Sequence, residues 1–355
     1  MQELEECEYR SSGVSTSIEV AHILVAMISR VTALVVSYNR SQLLRQCLDG
    51  LQAQTRKPDS IIVVDNASSD DSASVVQQHP CGAKLVQLSR NMGGAGGFSA
   101  GIALALEEGS DWDNSSIWIM DDDVIPTSTA LEKLLDAAEE ASRLNGRQPT
   151  VMGSQALWIN GEIHGMSKPR PRTWVKAGHR TLKASAGAYQ VRSLSFVSCL
   201  ISAQAIRKAR ALPRSAYFLW NDDFEFTTRL LKDGIGYFVP ASEVVHKTKV
   251  FGSSDADPGN RFFYEVRNKI WLMRYSSSNF TVMEFGELLA KTVRRWVLTL
   301  LRSKDRGLIL KCLGRGLRAG FGTRPLDNAS IFCAEPEVAQ AIQAVEGDGF
   351  TGHKR

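Results

Sequence analysis

A chain of 355 residues, 43% hydrophobic and 23% charged, has enough apolar material for one large α/β domain with extensions or two modest domains. Its net charge of +4 is too mild to argue for nucleic acid as a partner. Six scattered cysteines without a Cys-x-x-Cys pair argue against a zinc site or a disulfide framework and fit a reducing compartment.

The chain opens Gln2-Glu3-Leu4-Glu5-Glu6, without the positive charge that begins a signal peptide. The apolar stretch Ile18–Val36 is broken by Glu19, His22 and Arg30 and makes a poor spanning helix. The folded domain is therefore expected to begin near Ile28, with residues 1–29 a loose extension and the working part facing the cytoplasm.

Val31–Ser37 is a continuous apolar strand ending in Tyr38-Asn39-Arg40, and Ser41–Gln54 follows with helical spacing. A second buried strand, Ile61–Val64, ends at Asp65-Asn66-Ala67-Ser68. A helix (Ser72–His79) and a short strand (Lys84–Leu88) lead to Ser89-Arg90-Asn91-Met92 and a glycine cluster, Gly93 to Gly97. A helix over Phe98–Glu108 and the strand Ile117–Met120 then reach Asp121-Asp122-Asp123. Strands alternating with helices indicate a parallel sheet covered on both sides, with its ligand crevice at the carboxyl strand ends. Asp65, Arg90, Asn91 and Asp121 all fall at such ends.

Three adjacent carboxylates repel one another, and a fold that keeps them after a buried strand has use for a cation. Alternation along a strand puts Asp121 and Asp123 on one face and Asp122 on the other. Hard oxygen ligands so placed suit Mg²⁺ or Mn²⁺, which can neutralise a diphosphate. The competing reading is a solvated acidic turn or a helix cap. The glycine cluster has no strict Gly-x-Gly-x-x-Gly register, because Ser99 stands where the third glycine would be, and it follows the third strand. It is expected to be a loop bringing backbone close to a ligand ahead of an anion-favouring helix N-terminus; a tight connection with nothing bound is the alternative.

Ala130–Arg143 is a helix, Val151–Gly187 is loop-rich, and Val191–Ile201 is a further apolar strand. In Trp220-Asn221-Asp222-Asp223-Phe224-Glu225, the first acids stand where a helix begins, a common capping arrangement, and Glu225 can pair with Arg229. His246 follows a strand, where a packed histidine is commoner than a ligand. Arg261–Tyr275 is an aromatic-rich helix. Met283–Phe321 mixes leucine, valine and tryptophan with many lysines and arginines, the pattern of a helix lying on an anionic membrane or packed with a solvated basic face. Residues from Pro325 onward are expected to be a tail.

The motifs Val35-Val36-Ser37-Tyr38-Asn39-Arg40, Val63-Val64-Asp65-Asn66-Ala67-Ser68, Asn91-Met92-Gly93, Asp121-Asp122-Asp123 and Asp222-Asp223-x-Glu225 together resemble glycosyltransferase family 2. The segment Arg90–Phe98 is most similar to actinobacterial galactofuranosyltransferases of cell-wall galactan synthesis. The resemblance covers about Val31 to Lys269 and implies the GT-A fold, a Rossmann-like, mostly parallel sheet flanked by helices. The domain plan is then an extension (1–29), a GT-A domain (30–255), a basic amphipathic helical region (256–324) and a tail (325–355).

The resemblance also assigns roles. Asp65 would accept from the nucleotide base, with Tyr38, Asn39 and Arg40 lining that pocket; Arg90, Asn91 and Gly93 would lie beside the nucleotide sugar, and Asp122 on the donor side. Asp121 and Asp123 would match the metal-binding Asp-x-Asp and His246 would complete the shell around Mn²⁺ or Mg²⁺. Asp223 would be the catalytic base, Asp222 its acidic neighbour and Trp220 an acceptor platform. It implies an inverting transferase moving a sugar, as from UDP-galactofuranose, to a lipid-linked or cell-wall glycan at the inner face of the cell membrane. No processive Gln-x-x-Arg-Trp motif is present, which favours addition of one or a few sugars. A rhamnosyltransferase using dTDP-rhamnose, a non-catalytic sugar-nucleotide-binding protein of this fold and, more distantly, a dehydrogenase are the alternatives.

Overall fold

The computed structural model describes residues 28–108, 112–165, 169, 171–175, 177–248 and 257–347. Residues 1–27 of the expected extension and those after 347 lie outside the described residues. The first half runs β1 (Arg30–Ser37), α1 (Ser41–Gln52), β2 (Ser60–Asp65), α2 (Ser72–Gln78), β3 (Lys84–Gln87), α3 (Gly93–Glu107) and β4 (Ser115–Asp121). The middle is β5 (Val124–Pro126), α4 (Ala130–Asn145), β6 (Val151–Leu157), α5 (Ala177–Arg180), β7 (Tyr189–Val191), β8 (Cys199–Ser202) and α6 (Ala203–Ala209). Then come α7 (Asp222–Leu230), β9 (Gly236–His246), α8 (Phe262–Tyr275), α9 (Val282–Arg302), α10 (Arg306–Gly322), α11 (Asn328–Ile331) and α12 (Pro336–Glu346).

Strands β3-β2-β1-β4 are mutually parallel. Their continuous apolar runs follow from burial on both faces. Leu34, Val36, Ile62, Val64, Ile117 and Ile119 pack towards α3, while Ala33, Val35, Ile61, Val63, Trp118 and Met120 pack in a second core with α1, α2 and α4. The sheet continues as β8-β6-β9-β5 with β7 beside β9, and this half is mixed: β8, β5 and β7 join antiparallel. The expected strand Val191–Ile201 is really the end of β7 and the start of β8. Arg192 interrupts it, turning its guanidinium to Glu284 and to the Thr228 and Asn279 carbonyls.

Register places the site. Ser37 lies opposite Asp65 and Val36 opposite Asp121, so the polar ends of three adjacent strands finish level at one edge. Antiparallel pairing of β5 with β9 sets Val124 opposite His246, which delivers the histidine beside the acid triplet.

The basic region is two helices. Ser303 and Lys304 break it and the Asp305 side chain caps α10 by accepting from Leu308 N at 2.9 Å. The stretch expected to be a tail carries α11 and α12. In α12, Val338, Ala341, Ile342 and Val345 recur at helical spacing and, with Phe332, enter the core that α3 shares with the sheet.

Candidate active site

Asp121, Asp123 and His246 can each bring one ligand atom within 4.8 Å of the others. His246 Nε2 is 3.4 Å from Asp123 Oδ1, an oxygen buried without an aligned hydrogen bond, and His246 Nδ1 is likewise buried and unpartnered. Orphaned, nearly dehydrated donors of this kind fit a divalent cation. Burial pushes Asp121 well above the ordinary carboxylate range, and the charges of Asp123 and Asp122 push further. Burial works the same way on Asp123, but His246 and Arg40 hold it below its usual value. Sequence reasoning missed His164, a fully buried histidine whose ring lies 5.0 Å from that of His246 and whose Nε2 is 3.0 Å from Thr248 Oγ1. It fixes the face of the His246 ring.

Strand alternation does not extend to Asp122, because β4 ends at Asp121 and residues 122–123 form a turn in which Asp122 and Asp123 share one Arg40 nitrogen. Asp122 Oδ2 accepts from Ser37 Oγ at 2.9 Å and Tyr38 N at 3.1 Å, and its Oδ1 from Arg40 Nη1 at 3.2 Å. Arg40 also reaches Asp123. Burial lifts Asp122 to about 6 despite Arg40. Arg40 thus bridges the acids, while the Tyr38 ring stands exposed at the rim. Asn39, with φ of 52°, accepts from Ser69 N at 2.7 Å and ties the ends of β1 and β2 together.

Asp65 is 1% exposed; its Oδ1 accepts from Ser68 N at 3.1 Å, and its Oδ2 has no partner. An orphaned carboxylate oxygen at the crevice edge is an acceptor in want of a donor. Its neighbour Asn66, not singled out from sequence, spans to the glycine cluster: Met92 N donates to its Oδ1 at 2.9 Å and its Nδ2 to Gly93 O at 2.8 Å. Asn91 Oδ1 accepts from Gly93 N at 2.7 Å. Arg90 is drawn the other way, to the Ile331 carbonyl at 3.2 Å.

The glycine cluster is the first turn of α3 and not a loop ahead of it. Its glycines serve close packing. A Cβ on Gly93, which has φ of +72°, would lie 2.1 Å from Phe218 O, and one on Gly97 would lie 2.4 Å from Val36 Cγ1. Ala95 N donates to Phe218 O at 3.3 Å, so one of the amides at the N-terminus of α3 is taken by protein backbone.

That contact fastens α3 to the turn before α7. Phe218, Trp220 and Asn221 all adopt φ of 64–66°, a region costly for the two aromatic residues and readily adopted by asparagine. Buried Asn268 holds the turn by donating to the carbonyls of Tyr217, Leu219 and Trp220 at 2.8–3.0 Å. The turn aims Asp222 and Asp223 from the first turn of α7. Burial and its neighbour Asp223 raise Asp222 to about 8, and burial raises Asp223 as well. The charge of Asp222 also raises Asp121, which sets the start of α7 near the triplet. Arg261 lies over the Trp220 ring at 5.3 Å.

Residues 32–208 match the profile of Glycosyl transferase family 2. Galactofuranosyltransferase GlfT1 of Mycobacterium tuberculosis H37Rv is 30% identical over 324 residues, covering 83% of this chain and 98% of that protein. The chain belongs to glycosyltransferase family 2. N-acetylglucosaminyl-diphospho-decaprenol L-rhamnosyltransferase of the same organism is 24% identical over 227 residues, covering 59% of this chain and 74% of that one. Among solved structures, S. aureus TarS superposes with a TM-score of 0.53 at 13% identity over 89% of this chain and 55% of TarS, so the chain spans about half of it. The TarS 1–349 complex with UDP-GlcNAc gives a TM-score of 0.53 at 15% identity, covering 89% of this chain and 90% of that one. These likenesses show the fold, which is GT-A, and this glycosyltransferase carries an acidic metal-binding cluster at its strand ends.

Proposed function

We propose that the chain is an inverting, metal-dependent transferase that moves galactofuranose from UDP-galactofuranose to a hydroxyl of a lipid-linked or cell-wall glycan. One observation carries the reading: Asp121, Asp123 and His246 bring three ligand atoms within 4.8 Å of one another, and the charge of Asp222 at the start of α7 is near enough to raise Asp121. A bound Mn²⁺ or Mg²⁺ would supply charge neutralisation for the leaving diphosphate. Asp65, with its free oxygen, accepts from the base of the nucleotide, and Asn66 and Asn91 hold the backbone around Gly93 beside it. Asp223 takes the proton of the acceptor hydroxyl as it attacks the anomeric carbon from the face opposite the diphosphate, inverting the configuration. The donor assignment is supported by GlfT1, the relative with the longer alignment. The rhamnosyltransferase relative favours a second reading, dTDP-rhamnose.

Calorimetry separates the two. With Mn²⁺, UDP should bind more tightly than dTDP, and His246→Ala should weaken the metal dependence by about tenfold or more, as loss of a metal-site residue does. Preference for dTDP moves the assignment to rhamnose; an unchanged metal titration in His246→Ala removes the histidine from the shell.

The reading includes contact with a membrane surface. Leu289, Val293, Val297 and Leu301 run along the outer face of α9, each 47–56% exposed, beside Arg294 and Arg302. An apolar stripe turned outward among cations suits an anionic bilayer surface. Among the described residues, no helix is long and apolar enough to cross a membrane. Sedimentation with phosphatidylglycerol vesicles should show binding that weakens with salt and with Val293→Glu/Val297→Glu; recovery of all the protein in the supernatant at low salt rejects the contact.

A further inference from the structure

A cavity of about 380 Å³ lies between α8, α9, the start of α7 and the segment Pro171–Trp174. Phe224, the residue after Asp223, forms part of its wall and stacks on Phe280 with ring centroids 5.9 Å apart. Its charges are unevenly matched. Glu284 takes both Arg192 at 3.0 Å and Arg172 at 3.5 Å, Lys291 pairs with Glu287, and Arg295 lies 3.8 Å from Glu265. Lys269 has no such partner among the described residues. It is 9% exposed, and its Nζ lies 4.6 Å from the Phe224 ring centroid. Burial pushes its ammonium down, and only the more distant charges of Glu265 and Asp223 resist. A buried ammonium without hydrogen bonds is costly, and here it lines an open cavity with an excess of cations.

The cavity also has a direction. Phe224 follows Asp223 in the first turn of α7 and lines the cavity with Lys269 over its ring, so the cavity wall begins at the residue next to Asp223. In an in-line displacement the leaving diphosphate and the incoming hydroxyl approach the reacting carbon from opposite sides. Asp223, as the base of the proposed reaction, marks the acceptor's side, and the cavity adjoins it through Phe224.

We propose that this cavity binds a phosphate-type anionic group carried by the acceptor, with the Lys269 ammonium as its counter-ion. The inference rests on the transferase reading above, which supplies the existence of an acceptor; the anion preference comes from the cavity's own residues. Ring walls at Phe224, Phe280 and Trp174 would accompany an apolar substituent on that phosphate.

The test uses the full chain in EDTA, titrated with inorganic phosphate and with octyl phosphate and followed by calorimetry. Wild type and Asp121→Ala should bind octyl phosphate alike and more tightly than inorganic phosphate. Lys269→Met should weaken both by tenfold or more, Lys269→Arg should recover most of the loss, and the melting temperature of Lys269→Met should not fall. Stronger binding of inorganic phosphate would assign the site to a free anion and overturn the acceptor role. Binding unchanged in Lys269→Met, lost in Asp121→Ala, or absent in wild type would overturn the site. UDP binding with Mn²⁺ on the same preparations separates the failures: UDP bound without phosphate rejects this proposal alone, and neither bound rejects the transferase reading with it.

Discussion

Asp223→Asn should lower kcat by about 10²–10⁴-fold, the range for a lost general base, while UDP binding in Mn²⁺ is unchanged. Asp223 Oδ1 is held by Phe224 N at 2.6 Å, which leaves Oδ2 to receive a proton. Burial raises its affinity for that proton and Lys269 restrains it. The base works only unprotonated, so kcat/KM should rise with pH along a limb lying above the ordinary carboxylate range. Asp222 behaves differently. Pushed up to about 8, it holds its proton at neutral pH, and Asp222→Asn imitates that state. The asparagine at 223 should therefore be far more damaging than the one at 222. Single-turnover rates with saturating donor measure the difference; near-normal turnover in Asp223→Asn would take the residue out of the reaction.

The acid positions were legible because the signal was local. An apolar run ending in carboxylates marks a carboxyl strand edge, and the level register of Ser37, Asp65 and Asp121 follows once the strands are parallel. The glycine cluster misled for a physical reason. Small residues that admit a ligand and small residues that admit Val36 or the Phe218 carbonyl have the same composition, and only the packing tells them apart. Asn66 stands in one of the family motifs, but its role was not legible, nor was Asn268 at all, because an amide that organises loop backbone carries no periodic mark. The C-terminal stretch did carry one: Val338, Ala341, Ile342 and Val345 have the spacing of a buried helix face. In the mixed half of the sheet the strand before His246 was legible, but the break between β7 and β8 was not, since Arg192 interrupts an apolar run by contacts with α9 and α7, distant in sequence.

Glu225→Ala should cost about 3–5 kcal/mol of stability, the range for removing one partner from a buried ion network. Glu225 is fully buried with Arg214 at 3.1 Å, Arg229 at 3.1 Å and Ser276 Oγ at 2.7 Å. Burial would raise its pKa, yet the two arginines hold it below the ordinary value. A depressed carboxylate contributes stability above the unfolded-state pKa and loses it as pH falls through the folded-state value, so the variant's deficit should shrink in acid. Denaturant unfolding at pH 7 and pH 4 measures both effects, and Glu225→Gln, which keeps an acceptor for Ser276 but strands the arginines, should recover little. A loss below about 1 kcal/mol at pH 7, the level of a surface pair, would refute the network's weight. The cost should reach the chemistry as well. Arg229 continues to the Leu212 carbonyl at 2.6 Å, while Glu346 of α12 accepts from Leu212 N at 3.1 Å and Asn328 of α11 from Ser215 N at 2.8 Å. This chain of contacts ends at the strained turn that aims Asp223. The C-terminal helices thus brace the turn before α7, and within Asp222-Asp223-x-Glu225 the last acid anchors the fold while the proposed chemistry belongs to the first two.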